Sequence, residues 1–312
     1  MIVGPWLSEV GYETLYWIPF LRWVRDAFRL DPARVVAVSR GGVASWYHGI
    51  ADRYVELWER MSPEQYATRI AERGAVKQLV DADFDREIVA DVQKTLGLSH
   101  ARVLHPSLMY RLFDHFWFQR VPITFVEAFS SYAPLPRLEL GPLAASLPSR
   151  YVVAKFYGNT ALPDSPENQR FTASVLESLT RHTDVVMLNT GFRFDDHEDM
   201  SPALRERVHA IDHLMTPVDN LEVQTRVIQG ADAYVGTYGG FSYVSPLAGT
   251  DTLTFYSHTS GFRFDHLELA KRVFAQHRRA SYVELDVRSV ELVRKGFTHP
   301  WQGEPLVGGA RR

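Results

Sequence analysis

Short apolar runs that alternate with helical stretches constrain this chain more than any other feature. Residues 34–39 (RVVAVS), 151–156 (YVVAKF), 184–189 (DVVMLN), 233–237 (AYVGT) and 252–256 (TLTFY) read as buried strands, and 1–4, 102–105 (RVLH) and 282–285 as shorter ones. Helical spacing marks 12–30, 51–61, 63–73, 85–96, 241–249 and 266–276. In the first of these Trp17, Phe20, Leu21, Val24 and Phe28 share one face. Ser165-Pro166 supplies an N-cap and a first-turn proline. Residues 219–222 (DNLE) resemble a capping box opening a helix that ends at Gly230. Strands that alternate with helices predict parallel sheets covered on both faces.

The chain has 312 residues, twice the roughly 150 of a typical domain. Pro134, Pro136, Gly141, Pro142 and Pro148 punctuate the stretch 132–150, and few regular elements survive that density. The division expected is therefore 1–145 and 146–312, an α/β protein of two Rossmann-like domains whose parallel sheets face each other across a cleft. A net charge of −3 provides no basic field and excludes a dedicated nucleic-acid binder. With no cysteine, disulfides, a thiolate nucleophile and thiolate metal ligands are excluded. Charged residues interrupt every apolar stretch before the roughly 20 residues a transmembrane helix needs. No basic leader precedes the first strand, and a cytoplasmic protein is expected.

Ligands of open parallel sheets bind where strands end and helices begin, so the strand-end loops carry the candidates. Gly236-Thr237-Tyr238-Gly239-Gly240-Phe241-Ser242 combines adjacent glycines, two hydroxyls and a helix start, the features of a phosphate cradle. A tight turn needing positive φ is the plainer reading of the same glycines. Lys155, Tyr157, Asn159 and Thr160 follow the first strand of the second half, where Lys155 either neutralises a diphosphate or snorkels to solvent. Thr190-Gly191 follows the next strand and is placed against a base or ribose. The run 195–199 (DDHED) reads as a solvated loop, because consecutive side chains diverge, and no metal site is expected. In the first half Ser8, Glu9, Gly11 and Glu13 surround the first helix start. Glu9 is the preferred general base; Glu13 has the alternative task of complementing the helix dipole. Arg40 is a candidate anion contact, and His105, at a strand end before Pro106, a second base.

The opening GPWLSEVGYETLYWIPFLR resembles the G-x-(F/V)-G-(W/Y)-E-x-x-x-W-x-P segment near the start of some bacterial GT-B-type glycosyltransferases and related polysaccharide-cluster proteins. The stretch VGTYGGFSYVSPLAGTDTLTFYS is similar to their donor-side strand–turn–helix–strand. The resemblance implies two facing Rossmann-like domains and transfer of a sugar from a nucleotide-sugar donor to a saccharide or glycoconjugate hydroxyl, without metal or other cofactor. It places Thr237, Tyr238, Gly239, Gly240, Phe241 and Ser242 along the donor, Lys155 and Asn159 at its phosphates, and Glu9 and Gly11 on the acceptor side. Many such transferases hold the ribose with a glutamate, whereas no acidic residue occurs between Val235 and Thr250. A nucleotide-sugar epimerase of the same fold and an inactive binding protein therefore stay open. A nicotinamide dehydrogenase is disfavoured, because the first loop lacks G-x-G-x-x-G.

Overall fold

The computed structural model describes residues 1–74, 77–191, 198–200, 206–259 and 263–290, with Glu198 described for its backbone alone. The first half contributes β1 (Ile2–Val3), β2 (Val36–Ser39), β3 (Arg53–Glu56) and β4 (Val103–Leu104), a parallel sheet in the order β3-β2-β1-β4. The second contributes β5 (Tyr151–Lys155), β6 (Tyr157–Gly158), β7 (Asp184–Met187), β8 (Glu198–Asp199), β9 (Val208–Ala210), β10 (Ala233–Thr237), β11 (Thr252–Tyr256) and β12 (Tyr282–Asp286). Six of these form a parallel sheet in the order β12-β11-β10-β5-β7-β9, while β6 and β8 pair antiparallel beside it. The chain thus has the two Rossmann-like sheets that the strand and helix pattern predicts. Strand order reverses between β1 and β4 and between β5 and β10, the switch points at which such sheets open a crevice.

Each sheet has an outer apolar layer of its own. Ile2, Val38, Leu57 and Ile88 build one, and Val152, Phe156, Phe171 and Phe255 the other. The inner layer is shared, running without a break from Trp6, Trp17 and Tyr110 through Tyr151 and Leu221 to Tyr243 and Leu267. The two halves meet backbone to backbone at the helix starts Val10–Tyr12 and Gly240–Leu247. A Cβ on Gly11 would lie 3.2 Å from the Gly240 Cα, and one on Gly240 would lie 3.0 Å from the Gly11 backbone nitrogen. Neither position has room for a side chain.

The first long helix departs from regular geometry for an identifiable reason. Glu13–Trp17 is a π-helical turn leading into Ile18–Phe28, with Pro19 at its start. Proline has no N–H for the carbonyl four residues back and its ring crowds that group, so the wider turn relieves the clash. The Leu15 carbonyl left over accepts instead from the Tyr132 hydroxyl at 3.1 Å. Phe28, expected on the buried face, is exposed at the helix end.

Two further expectations are corrected. Residues 51–61 form β3 and a 3₁₀ turn (Leu57–Glu59), not a helix. The buried carboxylate of Glu56 accepts from the backbone N–H groups of Gly41 (3.0 Å), Gly42 (2.8 Å) and Trp58 (3.0 Å), so tertiary wiring overrides the local helical pattern. The capping box at 219–222 is also absent. Asp219 accepts from the Thr216 N–H (2.6 Å) and hydroxyl (2.7 Å), and Glu222 pairs with Arg226 (2.6 Å). The helix Asn220–Gly230 is capped from the other half of the molecule. The Gly41 carbonyl accepts from the N–H groups of Leu221 and Glu222, both at 3.0 Å.

The glycine contact gives a direct test. Gly240→Val forces the two helix starts apart, and overpacking of this kind costs about 1–3 kcal/mol. Urea unfolding should show a lower midpoint with an unchanged slope.

Candidate active site

The loops leaving β1, β2, β5, β7 and β10 open onto one cavity of about 460 Å3 between the two sheets. Glu9, Gly11 and Tyr12 come from the β1 loop and its helix, and Arg40 from the β2 loop. The β5 loop contributes Lys155, Tyr157 and Asn159, the β7 loop Thr190, and the β10 loop Tyr238, Gly239, Gly240 and Phe241. Arg40, Lys77, Lys155 and Arg263 set four cations on its wall against the carboxylates of Glu9 and Asp199. Three of the four are held by carboxylates, Arg40 by Glu13 (3.4 Å), Lys155 by Asp199 (3.1 Å) and Arg263 by Asp265 (2.6 Å), so the wall offers positioned cations to an anionic ligand without a large net charge.

Lys155 is buried at the end of β5. Its ammonium donates to the Leu188 carbonyl (2.9 Å), pairs with Asp199 (3.1 Å) and lies 4.9 Å over the Phe241 ring. Of the acidic run 195–199, Asp199 is thus an ion-pair partner on the cavity wall, while 195–197 lie outside the described residues. Asn159 donates to the Tyr238 carbonyl (3.1 Å) and accepts from Ala161 and Leu162, which fixes the β5 loop against the β10 loop. Gly239 has φ 149°, and a Cβ there would lie 2.3 Å from the Tyr157 hydroxyl, so glycine is required at this turn.

The two hydroxyls of the glycine loop are spent within the protein. Thr237 Oγ1 accepts from the Tyr157 N–H and donates to the Tyr157 carbonyl, tying β10 to the β5 loop. Ser242 Oγ accepts from the Gly239 N–H and donates to its carbonyl. Neither Thr237 nor Ser242 lies on the cavity wall, and neither does Gly191.

In the first half the carboxyl groups divide. Glu9 sits on the wall at the N-cap position of Val10–Tyr12. Glu13 is fully buried off the cavity, accepting from Ser39 (2.6 Å) and Tyr47 (2.7 Å) and facing Arg40 at 3.4 Å. Burial raises its pKa, against the pull of Arg40 and the two hydroxyls. It holds Arg40 in place. Arg40 also donates to the Ser8 carbonyl, while the Ser8 hydroxyl bonds to Tyr110 at 2.7 Å away from the wall. His105 is likewise off the cavity. It caps the helix Pro106–Trp117 by accepting from the Ser107 N–H (3.2 Å) and lies 3.3 Å from Asp85. Among the described residues, Asp81, Asp85 and His105 are the group with ligand atoms close enough for a metal, within 4.8 Å of one another. Asp85 is already committed to Gln78 (2.6 Å) and the Ala82 N–H (3.0 Å), with Arg73 at 3.7 Å.

Sequence reasoning missed the opposite wall. Tyr12 and Tyr16, one helical turn apart, bond to the two ring nitrogens of His266 at 3.3 and 2.6 Å, and Lys77 donates to the Tyr12 hydroxyl at 2.9 Å. The aromatic i, i+4 pair was visible in the sequence; its histidine partner, about 250 residues away, had no local signal.

The class defined by the fold is that of two facing Rossmann-like domains with a cleft between them, the GT-B architecture. Over 96% of its length the chain superposes on 89% of a glycosyl transferase family 9 protein from Veillonella parvula DSM 2008, with a TM-score of 0.52 and 13% identity. It is also matched, at lower TM-scores, to two proteins from E. coli. For ADP-heptose lps heptosyltransferase II the TM-score is 0.43 at 12% identity, covering 89% of this chain and 98% of that one. For heptosyltransferase WaaC with ADP it is 0.39 at 16% identity, covering 95% and 98%. No family model and no curated protein sequence matches the chain. Among the described residues no helix is long and apolar enough to cross a membrane.

Burial pushes the His266 imidazole down to about 3, with Arg263 and Lys77 acting in the same direction against Asp265. The unfolded chain takes up this proton below about 6.5, whereas the folded protein resists it until near 3. The stabilisation from His266 is complete above that upper value and is lost as pH falls through the window, by up to about 1.4 kcal/mol per pH unit. Urea unfolding at pH 7, 5 and 4 should show this decline, and His266→Gln should flatten it.

Proposed function

We propose that this chain is a nucleotide-sugar-dependent glycosyltransferase acting in the cytoplasm on a saccharide or glycoconjugate hydroxyl. The observation that carries the reading is the convergence of strand-end loops from both parallel sheets on one cavity whose wall carries Arg40, Lys77, Lys155 and Arg263. The GT-B architecture shared with glycosyl transferase family 9 supports it, as an argument from fold.

In this reading the diphosphate lies at the start of Gly240–Leu247, where the unpaired N–H groups and dipole of the helix favour negative charge. Lys155 and Arg40 stand on the same cavity wall. The acceptor approaches from the first half. Its hydroxyl gives its proton to the Glu9 carboxylate, and the oxygen attacks the anomeric carbon. The bond from that carbon to the diphosphate oxygen breaks, and the electron pair leaves with the nucleotide. The cations and the helix start meet the developing charge electrostatically, so the transfer needs no divalent metal.

A thermal-shift screen of nucleotide diphosphates and nucleotide sugars, with chelator present, tests the donor site. A ligand at a hundred times its dissociation constant stabilises the fold by about 2.7 kcal/mol, and Lys155→Met should abolish the shift. Glu9→Gln should retain the shift while turnover falls by about 10²–10⁴-fold. Turnover of the donor without any acceptor would identify an epimerase instead, and binding without turnover a binding protein.

A further inference from the structure

The reaction described above leaves Tyr12, Tyr16, His266 and Lys77 without a task, although all four lie on the cavity wall. Their hydrogens can be counted. His266 is held neutral and carries one ring N–H, and each tyrosine carries one O–H, giving three hydrogens. The two contacts to the imidazole, Tyr12 to Nε2 and Tyr16 to Nδ1, consume one hydrogen each. Lys77 brings its own hydrogen to the Tyr12 oxygen. One hydroxyl hydrogen is therefore left over, and no further acceptor for either tyrosine occurs among the described residues.

Geometry decides which tyrosine keeps it. The Tyr16 contact is short, 2.6 Å, as expected when a hydroxyl donates; the Tyr12 contact is 3.3 Å, on the long side for a ring N–H donating to oxygen. Tyr16 thus donates to Nδ1, and Nε2–H donates to the Tyr12 oxygen, which also accepts from Lys77. The unspent hydrogen is on Tyr12, the more exposed of the two at 9% against 1%. Trp117 stands edge-on to both tyrosine rings, at 5.3 and 5.1 Å, so the cluster is fixed in an apolar frame that strengthens its hydrogen bonds.

The partner of this hydrogen is defined by charge and position. Lys77 lies 4.6 Å over the Tyr12 ring, and no carboxylate pairs with it among the described residues. Its field favours an anionic oxygen over a neutral one. Tyr12 follows Gly11, which touches the Gly240 end of the helix proposed to face the diphosphate. We propose that the Tyr12 hydroxyl donates its free hydrogen to a phosphoryl oxygen of the nucleotide diphosphate, making Tyr12 a catalytic residue that stabilises the leaving group. No proton is transferred in this contact; the hydrogen bond strengthens as charge develops on the diphosphate. The inference rests on the donor-site reading of the preceding section.

Calorimetric titration with inorganic pyrophosphate, ADP and UDP tests it on the wild-type protein and Tyr12→Phe, which keeps the ring packing. Loss of a charge-assisted hydrogen bond should weaken pyrophosphate and whichever nucleotide binds by about tenfold or more. Equal affinity in both proteins overturns the role of Tyr12 while leaving the donor site standing. Binding of none of the three probes by the wild type overturns the donor site and this inference together. Nitrogen-15 NMR of the wild-type histidines provides a readout that does not depend on the variant folding. A neutral His266 protonated at Nε2 agrees with the assignment, and protonation at Nδ1 moves the free hydrogen to Tyr16 and overturns it.

Discussion

The contact between Gly11 and Gly240 is the constraint on which the rest of the structure depends. Two helix starts, one from each sheet, meet there with no side chain between them. That approach lets the inner apolar layers of the two halves join into one core, and it aims the strand-end loops of both sheets at the same space. The cavity is the volume left over where the two crevices face each other. It owes its position to the switch points of the sheets and its width to two hydrogen atoms in place of side chains.

Within that space the buried ion pairs do less for stability than for orientation. Removing two charges from water offsets much of their attraction, so Glu13 with Arg40 and Asp199 with Lys155 are poor explanations of why the protein folds. They are better understood as holders. Glu13, itself fastened by Ser39 and Tyr47, keeps the Arg40 guanidinium at the cavity edge. Asp199 and the Leu188 carbonyl do the same for the Lys155 ammonium. A guanidinium or ammonium held this way loses little rotational freedom when an anion arrives, which is the advantage of preorganisation.

Elements built from local signals were readable in the sequence. The β-branched runs became β2, β5, β7, β10 and β11, and Ser165 caps its helix by accepting from the Asn168 N–H at 3.2 Å. Features that depend on distant partners were not. Nothing near residues 51–61 announces that Glu56 will be claimed by the turn after β2, and nothing near 219–222 announces that a carbonyl from the other half will replace the cap. The glycine loop shows the same division. Its pattern located a turn on the cavity wall, but the hydroxyls that had suggested ligand donors, Thr237 and Ser242, are consumed in building that turn. The wall made by Tyr12, Lys77 and His266 escaped notice because it exists only once the halves are together.

The cap on the helix Asn220–Gly230 has a consequence for how the molecule comes apart. The Gly41 carbonyl satisfies N–H groups about 180 residues further along the chain, and Trp46 reaches the same helix through Thr225 at 3.2 Å. A hinge motion wide enough to separate the sheets would break these bonds and wet the shared core at once. Parting the two Rossmann-like units and exposing apolar surface to water are therefore the same event.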